Sequence, residues 1–112
     1  EFVLKLSEML RYVTYDCQYD KVPVQKEVEY LNNYIYFQQW RDKELKNINL
    51  NIDANVLQLK IEPMLLIPFV ENAFKHGASN STVKPSICIN LKEEEYKLSF
   101  HVFNTKDIKT NQ

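Results

Sequence analysis

Glycine and proline are scarce in this chain, whose 112 residues include one glycine and four prolines. Because turn-rich β folds depend on both residue types, their scarcity favours long helices. The net charge is only −1, which argues against a general attraction to nucleic acid or to an anionic membrane surface. No apolar run approaches the roughly 20 residues that a membrane-spanning helix needs. The two cysteines lie on different predicted elements, and we expect two reduced thiols rather than a disulfide.

The sequence also has no initiator methionine and no signal peptide, and a helical pattern is already running at its first residues. We therefore expect the chain to be a piece of a longer protein. Its length suffices for one domain with a modest core, or for parts of two smaller domains.

Two amphipathic helices are predicted in the first 44 residues. Between residues 2 and 17 the apolar side chains recur with helical spacing and form a seam on one face. A second helix is predicted from about residue 23 to residue 44, with an apolar face wide enough to contact more than one neighbour. The first seam contains Phe2, Leu6, Met9, Val13 and Cys17; the second contains Val24, Val28, Leu31 and Ile35, with Tyr30, Tyr34 and Phe37 alongside.

The two helices predict an antiparallel hairpin, because only a short linker separates them. A hairpin this narrow cannot bury two wide apolar faces by itself. We expect two copies of the chain to pair through residues 2–44 as a four-helix bundle. The alternative is that these faces pack on the rest of the same chain.

From residue 45 onward the hydrophobic period changes. Residues 48–52 alternate apolar and polar side chains as a half-buried strand does, and residues 57–61 predict a short strand or an extended lead-in. Residues 87–91 and 96–103 predict two strands that pair as a hairpin around the charged turn between them. This part of the chain therefore mixes strands with helix.

A buried helix is predicted over residues 63–76, between the two sets of strands. Pro63 suits its first turn, Pro68 falls inside it and predicts a bend, and Gly77 suits a left-handed C-cap. One side of this helix is broadly apolar, and a polar strip at i, i+3 and i+4 spacing occupies its last turns. The apolar side contains Leu66, Phe69, Val70, Ala73 and Phe74, and the polar strip contains Glu71, Asn72, Lys75 and His76.

The polar strip has two interpretations. It can be a solvated face, in which Glu71 and Lys75 pair weakly and His76 interacts with the helix C-terminus. Two features favour a ligand site instead. Asparagine is a poor helix former, and a carboxylate, an amide oxygen and an ammonium group together suit a divalent cation that carries phosphates. Spacing alone favours the solvated face.

Resemblance to a known family decides between these interpretations. Residues 63–77, PMLLIPFVENAFKHG, resemble the N box of the LytS/YehU-type sensor histidine kinases, whose pattern is close to P-x-L-L-Q-P-L-V-E-N-A-x-K-H-G. Residues 6–12, LSEMLRY, resemble the family's L-S-x-L-L-R-Y, and residues 22–31, VPVQKEVEYL, resemble v-x-L-x-x-E-L-e-x-L. Residues 34–41 are similar to its Y-x-x-i-q-x-x-R. The resemblance covers about residues 3–103.

The resemblance implies the fold class and the domain organisation. Residues 1–44 would be the C-terminal part of a helical dimerisation and phosphotransfer region. Residues 45–112 would be the N-terminal part of a GHKL-type ATP-binding domain. The expected fold is therefore α+β, with a helical hairpin that forms half of a dimerising bundle, followed by a partial GHKL or Bergerat-type α/β sandwich with a mixed sheet.

The resemblance also assigns the polar strip to Mg-ATP. Asn72 matches the N-box asparagine that ligates the Mg²⁺ bridging the ATP phosphates, and Lys75 matches the lysine that lies near those phosphates. Glu71 is expected to join the metal site by orienting a metal-bound water, and His76 to contact phosphate or ribose. Many GHKL proteins carry an acid or amide four residues before the asparagine, where this chain has Pro68, as its subfamily permits.

Two motifs of the family are missing from the chain. The phosphoacceptor histidine belongs to a P-H-F-L-F-N-like motif upstream of the matched region, so we expect no catalytic residue here. The D-x-G-x-G motif is expected after Val102, where residues 102–107 read VFNTKD, and Asn104 is the residue expected near the adenine. The chain on its own is therefore predicted to be inactive and to bind ATP weakly or not at all.

The family resemblance further implies the role of the longer protein. It would be an ATP-dependent protein-histidine kinase of a two-component system that phosphorylates its own histidine and then an aspartate on a response regulator, often of the LytTR type. The chain would be a cytoplasmic portion of a bacterial inner-membrane sensor, reaching the membrane only through segments outside it and making no direct contact with nucleic acid.

Two other functions compete with this one. The chain can be a non-catalytic dimerisation and signalling module with a degenerate nucleotide site, in which case Asn72 and Lys75 would be buried or face no cavity. It can also belong to another GHKL enzyme, such as a gyrase-like or chaperone ATPase. The LSEMLRY helix argues against this second alternative, because those proteins lack it.

Overall fold

The computed structural model describes residues 1–43, 45, 47–79 and 86–104. Within these residues the helices are α1 (Phe2–Thr14), α2 (Val24–Arg41) and α3 (Ile67–Ser79), and the strands are β1 (Val22–Pro23), β2 (Asn47–Ile52), β3 (Lys60–Ile61), β4 (Ser86–Glu94) and β5 (Lys97–Asn104). Short 3₁₀ segments follow α1, at Asp16–Gln18, and β2, at Ala54–Val56. The α+β fold is confirmed, with a helical hairpin followed by a sheet region that is compatible with part of a GHKL domain.

The helices α1 and α2 form the predicted antiparallel hairpin. Near one end, the Phe2 ring packs edge-on against the Phe37 ring, with 4.8 Å between centroids. At the other end, the rings of Tyr12 and Tyr30 lie 5.3 Å apart. Because the start of α1 meets the end of α2 and the end of α1 meets its beginning, the two helices run in opposite directions.

The second helix buries the predicted seam, whereas the first does not. Val24 and Leu31 of α2 are 0% and 1% exposed and lie in the main core. In α1, Leu6 and Val13 are 43% and 45% exposed, and the buried residue is Tyr12. Most of the predicted seam of α1 is therefore left exposed within the chain. Instead, α1 turns Tyr12 toward α2, where the Tyr12 hydroxyl meets a buried carboxylate.

A mixed three-stranded sheet in the order β2-β4-β5 forms the other layer of the core. β2 runs parallel to β4, with Ile48 opposite Ile87, and β5 runs antiparallel to β4, with Val102 opposite Ile89. A parallel pair needs a long crossover connection, and here that connection contains α3. The inward side chains of β4 are 0–1% exposed and share the core with α3. These side chains are Ile87, Ile89 and Leu91.

The hairpin between β4 and β5 turns later than predicted. The charged residues Lys92 and Glu94 continue β4, paired with Ser99 and Lys97 of β5. The turn consists of Glu95 and Tyr96, which both have positive φ, at 50° and 66°. Two positive φ values in a two-residue loop suit the right-handed twist of the flanking strands, even without glycine.

Helix α3 begins and ends later than predicted. It starts at Ile67 rather than Pro63, so Pro68 lies in the first turn, where no intrahelical N–H is needed. The helix continues to Ser79, so Gly77 lies within it, and the prediction of a left-handed C-cap there is wrong. Phe69, predicted to face the core, is 57% exposed and lies 6.1 Å from the ring of Phe100.

One hydrophobic core spans both predicted parts of the chain. Val24 and Leu31 of α2 share it with Ile61, Val70 and Ile89. The division near residue 45 stays a prediction about domain organisation, since packing is continuous across it. Among the described residues, no helix combines the length and the apolar character that a membrane crossing requires. Cys17 and Cys88 are free thiols.

Candidate functional site

The exposed side of α3 carries the polar strip. Glu71, Asn72 and Lys75 are all exposed, whereas Val70 and Phe74, on the opposite side, are 0% and 4% exposed. This difference arises because the sheet and α2 cover only one side of the helix. Three of the five predicted site residues are thus brought to one surface.

The other two predicted site residues are placed only through their backbones. His76 belongs to α3, one residue after Lys75, and Asn104 is the last residue of β5, opposite Ile87. Their side chains lie outside the described part of the structure, and so do residues 105–107, which complete the expected adenine motif.

A groove separates the polar end of α3 from the C-terminal end of α2. The Phe74 ring packs edge-on against the Tyr34 ring at 5.4 Å and fixes the two helices against each other. Beside this contact lies a groove of about 520 Å³ that contains two cationic side chains and one acidic side chain. It is lined by Tyr34, Gln38, Arg41, Asp42, Leu45, Phe74 and Lys75.

Hydrogen bonds order the α2 side of this groove. Arg41 donates from Nη2 to Oε1 of Gln38 at 3.0 Å, and Gln39 donates from Nε2 to the Leu45 carbonyl at 2.7 Å. Arg41 and Gln38 line the groove from α2, and Lys75 lines it from α3. The two cations that line the groove, Arg41 and Lys75, suit an anionic ligand, and Asp42 limits the net positive charge.

Glu71 lies close enough to α2 to influence its tyrosines. Burial raises the pKa of the Tyr30 phenol, and the Glu71 carboxylate raises it further, because a negative charge disfavours the phenolate. The pKa of Tyr34 is raised for the same reasons in the same order. Within the strip, the Glu71 carboxylate is therefore close to the aromatic side of α2, and Lys75 borders the groove.

The oxygen ligands on α3 fit a metal that arrives with phosphates rather than a site made by protein alone. The described residues contain no group of three or more His, Cys, Asp and Glu residues that could hold a metal ion. Asn72 and Glu71 offer one amide oxygen and one carboxylate. Mg²⁺ in nucleotide sites commonly takes one or two protein ligands and completes its shell with phosphate oxygens and water.

The sequence analysis missed one residue that organises the site, Glu27 in the first turn of α2. It is 2% exposed and accepts hydrogen bonds from Tyr12 of α1 and from the backbone N–H groups of Met64 and Leu66, just before α3. The sequence does contain a signal for Glu27, which follows Val24 by three residues and precedes Leu31 by four, and so lies on the apolar seam of α2. A charged residue on an apolar seam indicates a buried polar contact.

Comparison with known proteins gives the family. Residues 1–45 match the family model described as histidine kinase. The sensor protein LytS of Oceanobacillus iheyensis is 31% identical over 97 residues, which cover 87% of this chain and 17% of the relative. LytS of Bacillus subtilis is 31% identical over 91 residues, covering 80% and 15%. The sensor protein kinase HptS of Staphylococcus aureus is 27% identical over 92 residues, covering 82% and 18%.

These matches confirm the resemblance found in the motifs. The chain belongs to the sensor histidine kinase family. Within that family it is similar to proteins named LytS over most of its own length, including α3 and its polar strip. The chain spans 15–18% of the length of the relatives described above.

The position of Glu71 can be tested through the tyrosines of α2. Substituting Glu71→Gln removes the negative charge but keeps the size of the side chain, so we expect the pKa of Tyr34 to fall toward its ordinary value. It stays above that value because burial, the larger cause, remains. The measurement is a pH titration followed by NMR of ¹³C-labelled tyrosine rings, with Tyr34→Phe to assign the signal.

Glu29→Gln is the matched control, since Glu29 is on α2 but is not among the groups that shift Tyr34. An unchanged Tyr34 titration in Glu71→Gln would show that the Glu71 carboxylate points away from α2.

Proposed function

We propose that this chain is the part of a two-component sensor histidine kinase that joins its helical dimerisation region to its ATP-binding domain, and that the polar end of α3 binds Mg-ATP. The observation that carries the proposal is the exposure of Asn72 and Lys75 on a helix whose opposite side is fixed in the core. Lys75 also lines the groove that contains Arg41, so one cation of the strip borders a cavity suited to an anion.

Each polar residue has a proposed role. The Asn72 amide oxygen ligates Mg²⁺, and Lys75 neutralises phosphate charge at the groove. Glu71 orients a metal-bound water, His76 contacts phosphate or ribose, and Asn104 lies near the adenine. When bound, Mg²⁺ supplies charge neutralisation to the phosphates, which is the main requirement of phosphoryl transfer.

The longer kinase transfers phosphate from ATP to a histidine outside this chain, and then to a response regulator, of LytTR type in the simplest case. The 112-residue sequence contains neither a P-H-F-L-F-N-like motif nor a glycine-rich nucleotide motif. We therefore propose that the 112-residue chain alone does not phosphorylate itself. In the cell it would form a cytoplasmic portion of an inner-membrane sensor.

The exposed face of α1 is the proposed dimer contact. Val3, Leu6, Leu10 and Val13 are 76%, 43%, 57% and 45% exposed and follow one another at spacings of three, four and three residues. This is the spacing of a coiled-coil seam, in which each helix buries its stripe against a partner helix. The dimer formed through residues 2–44 would cover this stripe, while α2 remains packed on its own chain.

Replacing Asn72 tests the nucleotide site. In the intact kinase, we expect Asn72→Ala to weaken Mg-ATP binding at least about tenfold, the effect of losing one charge-assisted contact. The melting temperature of the ligand-free protein should not fall, because Asn72 is exposed and alanine is the better helix former. Calorimetric titration with Mg-ATP measures the affinity, and incorporation of labelled phosphate measures the activity.

Asn32→Ala is the matched control, since Asn32 is an exposed asparagine on α2. Full affinity and activity in Asn72→Ala would refute the assignment of Asn72 as a metal ligand. Labelled phosphate on the 112-residue chain alone would refute its proposed inactivity.

A charge in the α1 stripe tests the dimer. We expect Leu10→Glu to shift the chain from dimer to monomer, because two carboxylates would be buried against each other at the seam. Sedimentation velocity over a range of concentrations measures the shift. Tyr15→Glu is the control, because Tyr15 is a similarly exposed apolar residue that lies outside the stripe. Equal association of both variants and the unmodified chain would contradict the proposed contact.

A further inference from the structure

One carboxylate receives hydrogen bonds from two distant parts of the chain. Oε2 of Glu27 accepts from the Tyr12 hydroxyl and from the Met64 N–H, the latter at 2.7 Å. Oε1 accepts from the Leu66 N–H at 3.3 Å. Glu27 is 2% exposed, so these donors replace the water that a carboxylate would otherwise bind.

The two backbone donors lie at the start of the proposed nucleotide-binding helix. Leu66 directly precedes α3, and Met64, two residues earlier, has a φ of 63°. This left-handed conformation is unfavourable for a residue with a side chain and requires support from its surroundings. A carboxylate is well placed for that support, because the N–H groups at a helix N-terminus have no partner within the helix and carry partial positive charge. Glu27 therefore caps α3 from another helix.

The cap at the start of α3 influences where Asn72 is held further along the same helix. Asn72 follows Leu66 by six residues, which is about 9 Å along a helix axis. Leu66 and Val70 are 3% and 0% exposed and pack in the core between these points, so the first turn cannot move independently of the next. A change in the hydrogen bonding of Met64 and Leu66 therefore alters where Asn72 is held.

Tyr12 extends the connection to α1. Burial raises the pKa of its phenol, and the hydrogen bond to Glu27 raises it further, so the hydroxyl stays a donor throughout the physiological range. The same Glu27 oxygen thus binds the end of α1 and the loop before α3.

We propose that Glu27 is a positioning residue for the nucleotide site: its buried carboxylate fixes the start of α3, and through Tyr12 it couples that helix to α1 of the dimerisation hairpin. The inference rests on the proposed Mg-ATP site at Asn72 and adds the contact that sets the position of that site. A rotation or shift of α1 would act on the nucleotide site through this carboxylate.

Hydrogen exchange and nucleotide affinity in the intact kinase test the proposal together. Glu27→Gln keeps the size of the side chain but leaves one accepting oxygen for three donors. We expect amide exchange at Met64 and Leu66 in the nucleotide-free protein to become about 10- to 100-fold faster. Mg-ATP affinity should fall about tenfold, the lower end of the range for residues that orient a metal ligand, because Glu27 acts on Asn72 only through α3.

Tyr12→Phe is the second variant and removes only the hydroxyl. We expect faster exchange at the same two amides and a smaller loss of affinity, because the backbone contacts to Glu27 remain. If Glu27→Gln does not fold, Tyr12→Phe carries the test. Tyr15→Phe and Glu29→Gln are matched controls, because both positions are exposed, and they should leave exchange and affinity unchanged.

Unchanged exchange at Met64 and Leu66 in these variants would overturn the capping contact. Faster exchange with unchanged Mg-ATP affinity, in a kinase where Asn72→Ala does lose affinity, would show that Glu27 only stabilises the fold and would overturn the positioning role. If Asn72→Ala keeps full affinity, the proposed nucleotide site fails instead, and the positioning of that site by Glu27 fails with it. The exchange result then still reports whether the cap exists.

Discussion

The Glu27 carboxylate is buried where α1, α2 and the start of α3 meet, and the arrangement of the other elements depends on it. The segment before α3 makes the reverse contact with α2. The N–H groups of Val24 and Gln25, which have no partner within their helix, donate to the carbonyls of Leu59 and Leu57 at 2.7 and 3.1 Å. The free N–H groups of α2 are therefore satisfied by the segment before α3, and an N–H group at the start of α3 is satisfied by Glu27 of α2. This reciprocal contact fixes the hairpin on the sheet region.

The consequence for function is that the hairpin and the proposed nucleotide helix share one structural unit. Phe74 packs on Tyr34, and the first turn of α3 is capped by α2, so both ends of the α2–α3 contact are constrained. Only the outer side of α3, with Asn72 and Lys75, is left for a ligand. Under the proposed function, the Glu27 contact would join the dimerisation hairpin to the nucleotide-binding helix.

The periodic features of the fold could be predicted from the sequence. The seam of α2, the alternation in β2 and the hairpin β4–β5 depend on local hydrophobic patterns, and the structure has all three. The start of α3 could not be predicted, because it depends on Met64 adopting a positive φ under the control of Glu27, which is 37 residues away in sequence. The orientation of α1 could not be predicted either. A polar hydroxyl contact, rather than the larger apolar seam, decides which face is buried.

The candidate site likewise has features that the sequence predicts and features that it does not. The motif predicted that Asn72 and Lys75 share an exposed strip, and helical spacing alone ensures this once α3 forms. Two other features depend on how α2 and α3 pack, and a local sequence pattern cannot predict that packing. They are the position of Glu71 near the tyrosines of α2 and the place of Arg41 in the groove.

The most direct test of the central contact is a double-mutant cycle in the free energy of unfolding, built from Tyr12→Phe, Glu27→Gln and the double variant. The contact predicts a coupling of about 1.5–3 kcal/mol between the two positions, as expected for a buried hydrogen bond to a charged group. Additive effects, within about 0.5 kcal/mol, would contradict it, because independent sites show no greater coupling than that.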